Sequence, residues 1–279
     1  MSQLHCAKRM LDLSYPRVMG ILNVTPDSFS DGGLWADLAS ARRHAERMSE
    51  AGAAIIDVGG ESTRPGAMSV PVQQELDRVI PVIEAVRSES DVLLSVDTSK
   101  PEVMRAAVAA GADIVNDVNA LRAQGALRAV VESGAAVCLM HMRGEPRTMQ
   151  QAPCYADVVT EVLDFLRQRL QACAMVGIED NRLLVDPGFG FGKTLRHNLQ
   201  LLDGLDRFSA LAPVLAGLSR KSMLGELTGR DAAGRMPASV AVAVLAAERG
   251  ARILRVHDVA ATVDALRIVT ALMELEADG

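Results

Sequence analysis

Eight short runs of mostly apolar residues alternate along the chain with longer amphipathic segments, and no other feature limits the possible folds as strongly. The runs predict strands at residues 18–22, 54–58, 92–96, 113–115, 136–140, 183–185, 214–218 and 253–256. Because these strands are apolar on both faces and are separated by helices, they indicate a parallel sheet. Eight such units predict an α/β fold, a single (β/α)8 TIM barrel, with an open doubly wound sheet as the alternative.

Amphipathic segments between the strands predict helices at residues 36–51, 72–87, 101–110, 158–176 and 239–249. Glycines at the ends of helical stretches are typical C-terminal stops, and they are Gly52, Gly111, Gly134, Gly177 and Gly250. The length of 279 residues suits one barrel, and no low-complexity linker divides the chain. We therefore predict a single domain over residues 1–279, with a core at about 14–275, and a variable surface loop at residues 229–235.

Composition restricts the partners and the compartment. A net charge of −6 and an isoelectric point of about 5.4 argue against a nucleic-acid partner, because binding to a phosphate backbone needs a basic surface. No run approaches the roughly 18 apolar residues of a membrane span, and the N-terminus lacks the pattern of a secretion signal. We expect a cytoplasmic protein without a membrane partner. The four cysteines lack the CxxC spacing of a zinc site and are predicted to be reduced thiols.

Polar side chains follow every predicted strand. The carboxyl ends of barrel strands surround one mouth, where active sites are assembled, so we predict the active site there. Taken singly, each of these residues is equally well explained as a helix N-cap or a loop anchor, and Asp57 and Asp117 are the main candidates for such a structural role. The residues are Asn23, Asp57, Asp97, Asn116, Asp117, His141, Asp186, Ser219, Arg220, Lys221, His257 and Asp258.

The loops after the first two strands suggest phosphate and metal binding. Asn23 opens a long polar loop that is a candidate lid, and its amide oxygen is a hard ligand suited to Mg²⁺, which shares its coordination shell with phosphate and water. Arg64 stands on a glycine-rich turn and is predicted to clamp an anion, since guanidinium groups form bidentate contacts with phosphate. An exposed loop arginine without a partner is the alternative.

Asp97 and Asp186, together with Asn116, predict a site for a ligand that donates hydrogen bonds. Buried carboxylates need compensation, either from a cation such as Lys221 or from ligand N–H groups. The edge of a 2-amino-4-oxo-pyrimidine presents two adjacent donors to one carboxylate. A glycosidase pair or a two-metal centre is the alternative, and it is disfavoured because the aspartates are interleaved with an asparagine and a lysine rather than with histidines.

Residues 186–194 approach the phosphate-binding P-loop pattern but lack its first glycine. Their glycines are better explained by backbone freedom beside a flat ligand, with Phe189 or Phe191 as an apolar wall. Arg255 and His257 lie two residues apart in the last strand, so they are predicted to share a face. By analogy with the phosphate sites of other barrels, they would help to hold a pyrophosphate.

Taken in order, segments 19–33, 60–65, 95–98, 116–117, 186–193, 219–221 and 255–257 closely resemble bacterial dihydropteroate synthases. The resemblance implies a transferase of folate biosynthesis that joins 6-hydroxymethyl-7,8-dihydropterin pyrophosphate to p-aminobenzoate. It implies an SN1-like route, in which pyrophosphate departs before the aromatic amine attacks. It also implies Mg²⁺ as the cofactor, a homodimer, and inhibition by sulfonamides that compete with p-aminobenzoate.

The same resemblance, carried over position by position, implies roles for individual residues. The pterin pyrophosphate would contact Thr63, Arg64, Asp97, Asn116, Asp186, Lys221, Arg255 and His257, and Asn23 would bind the metal. The p-aminobenzoate would contact Phe29, Thr63, Pro65, Phe191, Arg220, Lys221 and Ser222. Catalysis would depend on Asp31, Arg64, Lys221, Arg255 and His257. Segment 227–236 departs from the family pattern, which leaves the details of its loop and of a dimer surface open.

Three other functions remain open at this point. Lys221 at a strand end is a candidate Schiff-base nucleophile of an aldolase. The pterin-binding module of cobalamin-dependent methyltransferases resembles this barrel, but it usually carries a corrinoid domain for which this chain has no room. A non-catalytic pterin-binding protein would have lost Asn23, Arg64 or His257, and all three are present here.

Overall fold

The computed structural model describes residues 2–24, 33–63, 66–145 and 147–277. In this part of the chain, a two-stranded antiparallel hairpin precedes a closed barrel of eight parallel strands. The hairpin strands are β1 (Gln3–Cys6) and β2 (Arg9–Asp12). The barrel strands are β3 (Arg17–Asn23), β4 (Ile55–Gly59), β5 (Leu93–Asp97), β6 (Ile114–Asp117), β7 (Ala136–Met140), β8 (Leu183–Asp186), β9 (Val214–Ala216) and β10 (Ala251–Val256).

The barrel strands follow one another around the sheet in chain order, and β10 pairs with β3 to close it. The closing register aligns Val256 with Gly20. Every residue of β4, β5 and β7 is buried, as expected for strands with apolar groups on both faces. The predicted (β/α)8 barrel is therefore confirmed, and the open doubly wound sheet is excluded because such a sheet has two unpaired edges.

Helices cover the outside of the barrel. They are α1 (Gly33–Glu50), α2 (Val72–Arg87), α3 (Pro101–Ala109), α4 (Ala126–Ser133), α5 (Val158–Met175), α6 (Leu195–Asp203), α7 (Asp206–Ser209), α8 (Ser222–Thr228), α9 (Met236–Glu248) and α10 (Val259–Ala277). The five predicted helices are confirmed to within three residues at each end. Residues 229–235, predicted to be a surface loop, are largely exposed and contain one 3₁₀ turn at Ala233–Arg235. Among the described residues, no helix has both the length and the apolar character needed to cross a bilayer.

Glycine ends helices in the left-handed conformation, as predicted. Gly111 follows α3 with a φ of +117°, and a Cβ at this position would lie 2.9 Å from Arg87 Cγ. Gly134 caps α4 with a φ of +73°, and a Cβ there would meet no atom within 4 Å. Glycine adopts this backbone without steric cost, so each turn directs the chain from a helix into the next strand.

The hairpin, which the sequence did not predict, covers the amino-terminal end of the barrel. Its buried apolar side chains form one cluster with residues near the starts of the barrel strands, and those of the hairpin segment are Leu4, Cys6, Leu11 and Leu13. Arg9 adds an ion pair with Asp113, with 3.1 Å between Nη1 and Oδ1. Each fully buried leucine stabilises the fold by about 1.5–3 kcal/mol. The hairpin thus closes the amino-terminal end of the barrel, and the candidate site lies at the carboxyl-terminal end.

Candidate active site

A pocket lies at the carboxyl ends of the barrel strands, which is where small-molecule sites occur in barrels of this kind. Its lining consists of Thr63, Asp97, Asn116, Val118, Met140, Asp186, Phe189, Phe191, Gly217, Lys221 and Arg255. Seven of these residues are ones that the sequence predicted to contact substrate. The barrel therefore brings together, at the expected end, seven of the eleven predicted site residues that lie in the described part of the chain.

Parallel register places the acidic and amide side chains side by side. Asp97 is the last residue of β5 and is aligned with Asn116 of β6, while Asp186 ends β8. Asp186 Oδ1 accepts a hydrogen bond from the Gly188 N–H at 2.7 Å. Asp97 Oδ1 is buried and has no hydrogen-bond partner in the described part of the chain. Because a buried carboxylate oxygen without a partner is unfavourable, it favours a ligand that brings an N–H donor.

Arg255 joins two buried carboxylates. Its Nε donates to Asp57 Oδ2 at 2.6 Å, and its Nη2 donates to Asp97 Oδ2 at 2.7 Å. Asn116 Nδ2 also donates to Asp57 Oδ2, at 3.3 Å. Asp57 does not line the pocket, so its role is structural as suggested, but it lies inside β4 and holds Arg255 and Asn116 rather than a helix N-terminus or a loop. In the described part of the chain, two of the three nitrogens of Arg255 bond to carboxylates, and Nη1 is the nitrogen left for the predicted pyrophosphate contact.

Burial changes the acidity of these groups. It raises the pKa of Asp97 to about 7; the charge of Arg255 opposes this shift and repulsion from Asp57 adds to it. Burial also raises the pKa of Asp186 above its ordinary value, against the hydrogen bond from Gly188 and the charge of Lys221. Because burial makes the ionised carboxylates unfavourable, hydrogen bonds that a ligand donates to them would stabilise them strongly.

Lys221 forms the cationic side of the pocket. It follows β9, and its Nζ lies 4.2 Å from the centroid of the Phe191 ring. Burial lowers the pKa of Lys221 to about 8, although the charge of Asp186 raises it. A desolvated ammonium is attracted to the face of an aromatic ring. The pair supplies a cation and a flat apolar wall on the same side of the pocket.

Arg220 occupies a strained turn at the rim. Its φ is +56°, which is uncommon for a residue other than glycine. Its N–H donates to Ser239 Oγ at 2.9 Å, its carbonyl accepts from Arg235 Nη1 at 3.0 Å, and its Nε donates to Asp258 Oδ2 at 3.0 Å. Segment 229–235 therefore helps to hold the turn on which the predicted p-aminobenzoate residues stand. No local pattern in the sequence indicates this contact.

The other predicted site residues are placed as follows. Ser222 is exposed at the start of α8, and His257 follows β10 with its Nδ1 3.1 Å from Ser219 Oγ. Asn23 is the last residue of β3, with Oδ1 3.6 Å from the position that a Cβ at Gly59 would occupy. The remaining predictions lie outside the described residues and concern Phe29, Asp31, Arg64 and Pro65.

Two structural interpretations of the sequence are confirmed. Asp117 accepts hydrogen bonds from the Ser99 hydroxyl at 2.5 Å and from the N–H groups of Asn119 and Leu121, both at 2.7 Å. It therefore fixes the turn after β6. The segment after β8 is not a P-loop, because the ammonium of Lys193 is buried and donates to backbone carbonyls of its own loop.

Some of the pocket wall was missed by the sequence reasoning. Val118 and Met140 line the pocket and form a small apolar cluster with Met142, Met149 and Phe191. In the sequence, each of these two residues is marked only by the polar residue beside it at a strand end. Core residues of any barrel occupy the same kind of position, so this mark does not identify a pocket residue. The cluster offers an apolar surface beside the carboxylates, which suits a flat heterocycle with one polar edge.

The fold and the site define a barrel enzyme for a flat, hydrogen-bond-donating heterocycle, and the sequence matches the family described as pterin binding enzyme over residues 19–257. The dihydropteroate synthase of Escherichia coli (strain K12) is 55% identical over 264 residues, which cover 94% of this chain and 94% of that protein. The dihydropteroate synthase of Haemophilus influenzae is 51% identical over 267 residues, covering 95% and 97%.

Solved structures agree with these relatives. The Xanthomonas albilineans dihydropteroate synthase with 4-aminobenzoic acid has a TM-score of 0.92 at 58% identity and covers 97% of this chain and 98% of its own. The Yersinia pestis dihydropteroate synthase in complex with a sulfonamide drug has a TM-score of 0.93 at 52% identity, covering 98% and 99%. The chain therefore belongs to the dihydropteroate synthase family of pterin-binding enzymes. This membership disfavours the aldolase and corrinoid-enzyme hypotheses.

Proposed function

We propose that this protein is a transferase that condenses 6-hydroxymethyl-7,8-dihydropterin pyrophosphate with p-aminobenzoate, giving 7,8-dihydropteroate and pyrophosphate in folate biosynthesis. The observation that carries the proposal is the pair of buried carboxylates, Asp97 and Asp186, in one pocket with Lys221. A pterin edge bears adjacent N–H donors, which would satisfy the acceptors that these carboxylates present. A relative from Xanthomonas albilineans has been solved in complex with 7,8-dihydropteroate.

The reaction needs a site that tolerates positive charge on the pterin. In the SN1-like route, the bond between the methylene carbon and the diphosphate oxygen breaks, and both electrons leave with the oxygen. The amine nitrogen of p-aminobenzoate then bonds to the cationic carbon and loses a proton to solvent. Asp97 and Asp186 stabilise the cation electrostatically, because charges fixed in a buried site act strongly on a developing charge. Asn116 and Lys221 would orient the ring between them.

The metal proposal rests on Asn23. No group of three or more histidine, cysteine, aspartate or glutamate side chains that could hold a metal ion occurs among the described residues, which fits an ion that takes most of its ligands from phosphate and water. The space beside Gly59 is bordered by Asn23 Oδ1 and by the Asp97 side chain, each 3.6 Å from a Cβ built there. Asn23 would hold Mg²⁺, which when bound neutralises charge on the departing diphosphate. Arg64, Arg255 and His257 would bind the same diphosphate.

For the second substrate, we propose a subsite formed by Thr63 and Phe191 in the pocket wall and by the rim residues Arg220, Lys221 and Ser222. Phe191 offers a ring face for the benzoate ring, and the basic side chains suit its carboxylate. Phe29 and Pro65 would complete the subsite. Sulfonamides would compete with p-aminobenzoate there, as the complex of the Yersinia pestis relative with a sulfonamide drug supports.

Exposed apolar side chains support a proposal for the assembly, and the cysteines support one for the location. Exposed apolar side chains on α9 and α10 include Leu245, Ile268, Leu272 and Leu275, and a surface of this kind is typical of an interface. We propose that it forms the contact of a homodimer. All four cysteines are free thiols, which is usual in the reducing cytoplasm and supports a cytoplasmic location.

Product formation tests the function directly. We expect the purified protein with Mg²⁺ to form 7,8-dihydropteroate and to release one pyrophosphate for each product molecule, and we expect Asp186→Asn to lose most of this activity. The same assay separates a synthase from a pterin-binding protein without catalysis. Tight binding of the pterin pyrophosphate without any product in the presence of p-aminobenzoate would contradict the proposal.

A further inference from the structure

Lys193 is a buried cation that the proposed reaction does not use. It lies in the connection between β8 and α6, and only 3% of it is exposed. Its ammonium lies 2.9 Å from His141 Nδ1 and donates to the carbonyl oxygens of Gly188 at 2.8 Å and Phe191 at 3.0 Å. With the Nδ1 of a neutral imidazole as an acceptor, these three partners suffice for the three donors of the ammonium group, and the His141 carbonyl is a more distant fourth acceptor at 3.4 Å.

The surroundings of Lys193 make its charge costly. Its near partners are backbone carbonyls and a ring nitrogen, and burial lowers its pKa to about 7 although the charge of Asp186 raises it. Burying a cation without a direct anionic partner is unfavourable, and a methionine would occupy a similar volume without this cost. In some proteins, buried ionic groups of this kind select one conformation of a segment rather than add stability.

Residues 188–192, two of whose carbonyls Lys193 binds, fit closely against the connection after β7. A Cβ at Gly188 would lie 1.9 Å from the carbonyl oxygen of His141, and a Cβ at Gly192 would lie 2.3 Å from that of Arg143. Tyr155 Oη also donates to the Gly192 carbonyl at 2.9 Å. These contacts give residues 188–192 a single close-fitting position, and Lys193 forms the buried hydrogen bonds within this segment.

One of the two carbonyls that Lys193 binds belongs to a residue of the pocket wall. Phe191 lines the pocket, and its ring lies against the ammonium of Lys221, while its carbonyl accepts a hydrogen bond from Lys193. Asp186, in contrast, ends β8 and is placed by the strand pairing with β7, since its carbonyl accepts from the His141 N–H at 3.0 Å. Release of Lys193 would therefore move Phe191 more than it moves Asp186.

We propose that Lys193 is a positioning residue that binds the Phe191 and Gly188 carbonyls next to His141 and so fixes the Phe191 ring against Lys221, which shapes the subsite for p-aminobenzoate. This inference rests on the proposed function, because it assumes that Phe191 contacts the second substrate. Lys193 acts through Phe191 and does not touch the substrate itself.

Steady-state kinetics of Lys193→Met test the inference, with Lys8→Met, in the exposed turn of the hairpin, as the matched control. We expect the KM for p-aminobenzoate to rise about tenfold, corresponding to about 1.4 kcal/mol, while the KM for the pterin pyrophosphate changes much less. Lys8→Met should leave both KM values unchanged. An equal rise of both KM values in Lys193→Met, or a lower melting temperature with both KM values unchanged, would overturn the positioning role.

A second pair of variants covers the case in which Lys193→Met does not fold. His141→Leu removes one acceptor of the ammonium group, whereas His141→Asn keeps an acceptor oxygen near the position of Nδ1. We expect His141→Leu to raise the KM for p-aminobenzoate and His141→Asn to restore much of the loss; equal KM values in the two variants would refute the inference. If the wild-type protein forms no dihydropteroate, the proposed function fails, whereas normal wild-type turnover with unaffected variants rejects the role of Lys193 alone.

Discussion

Replacing Gly188 by alanine isolates the contact between the two loops that support the pocket. Gly188 has a φ of +72°, and a Cβ there would lie 1.9 Å from the carbonyl oxygen of His141. Gly134 has a nearly identical φ of +73°, but a Cβ there would meet no atom within 4 Å. The two variants therefore share the backbone strain and differ in the collision, which makes Gly134→Ala the matched control.

The expected magnitudes follow from these two terms. Left-handed backbone costs an L-residue about 1–2 kcal/mol, and this cost applies to both variants. Forcing an extra carbon into a closely packed position adds typically 1–3 kcal/mol, so about that much should separate them. Gly188→Ala should therefore be destabilised by about 2–5 kcal/mol in total, and Gly134→Ala by about 1–2 kcal/mol.

Urea denaturation followed by circular dichroism measures the difference in free energy of unfolding, and kcat/KM is measured on the same samples. Gly188→Ala should also lose activity in the folded state, because its N–H holds Asp186 and its carbonyl is bound by Lys193. Gly134→Ala lies at the opposite end of the barrel and should keep its activity. Equal unfolding free energies for the two variants would show that the loop has room to move, and the reasoning about a single close-fitting position would be refuted.

Four further predictions concern the charges and the metal of the site. Because burial raises the pKa of Asp97 to about 7 and a protonated carboxyl accepts fewer N–H donors, kcat/KM for the pterin pyrophosphate should fall as the pH drops through 7; a flat pH profile down to pH 5 would contradict this. Between pH 3.8, the ordinary pKa of the group, and about pH 7, Asp97 binds more protons in the folded than in the unfolded state. Its contribution to the free energy of unfolding should therefore decrease as the pH rises across this range. Replacement of Asp97 by asparagine should remove this pH dependence. Arg255→Met leaves two buried carboxylates without their cation and should cost about 3–5 kcal/mol, with part of the loss recovered when Asp57→Asn is added; an additive double variant would argue against the network. A chelator should stop product formation without lowering the melting temperature of the ligand-free protein, and a lower melting temperature would instead indicate a structural metal.

The sequence predicts the barrel and the position of its site because both depend on local patterns. Apolar runs with helices between them fix a parallel sheet, and the carboxyl end of each strand is marked by the polar residue that follows it. Asp97, Asn116 and Asp186 could thus be assigned to one pocket without coordinates. The hairpin at the other end was missed because four-residue strands carry too little periodic signal to stand out from a disordered terminus.

Pairings across the barrel are harder to predict because they join residues that are far apart in the chain. Arg255 contacts Asp57 and Asp97 over separations of 198 and 158 residues, and nothing local distinguishes it from an arginine that faces a phosphate. Lys193 was correctly separated from a P-loop lysine by one missing glycine, but its contact with His141 depends on how the connections after β7 and β8 fit together. Such contacts are set by packing, and the identity of neighbouring residues in the chain does not determine them.

The charges around the pocket explain why one site can both bind a neutral pterin and stabilise its cation. Asp97 and Asp186 line the pocket, and Arg255, Lys221 and the buried Lys193 supply positive charge around them. A neutral pterin offers the two carboxylates N–H donors, whereas the methylene cation adds a positive charge. Burial raises the pKa of both carboxylates because it disfavours their ionised form, and the same loss of solvation makes a positive charge beside them favourable, as on the cation formed when the diphosphate leaves.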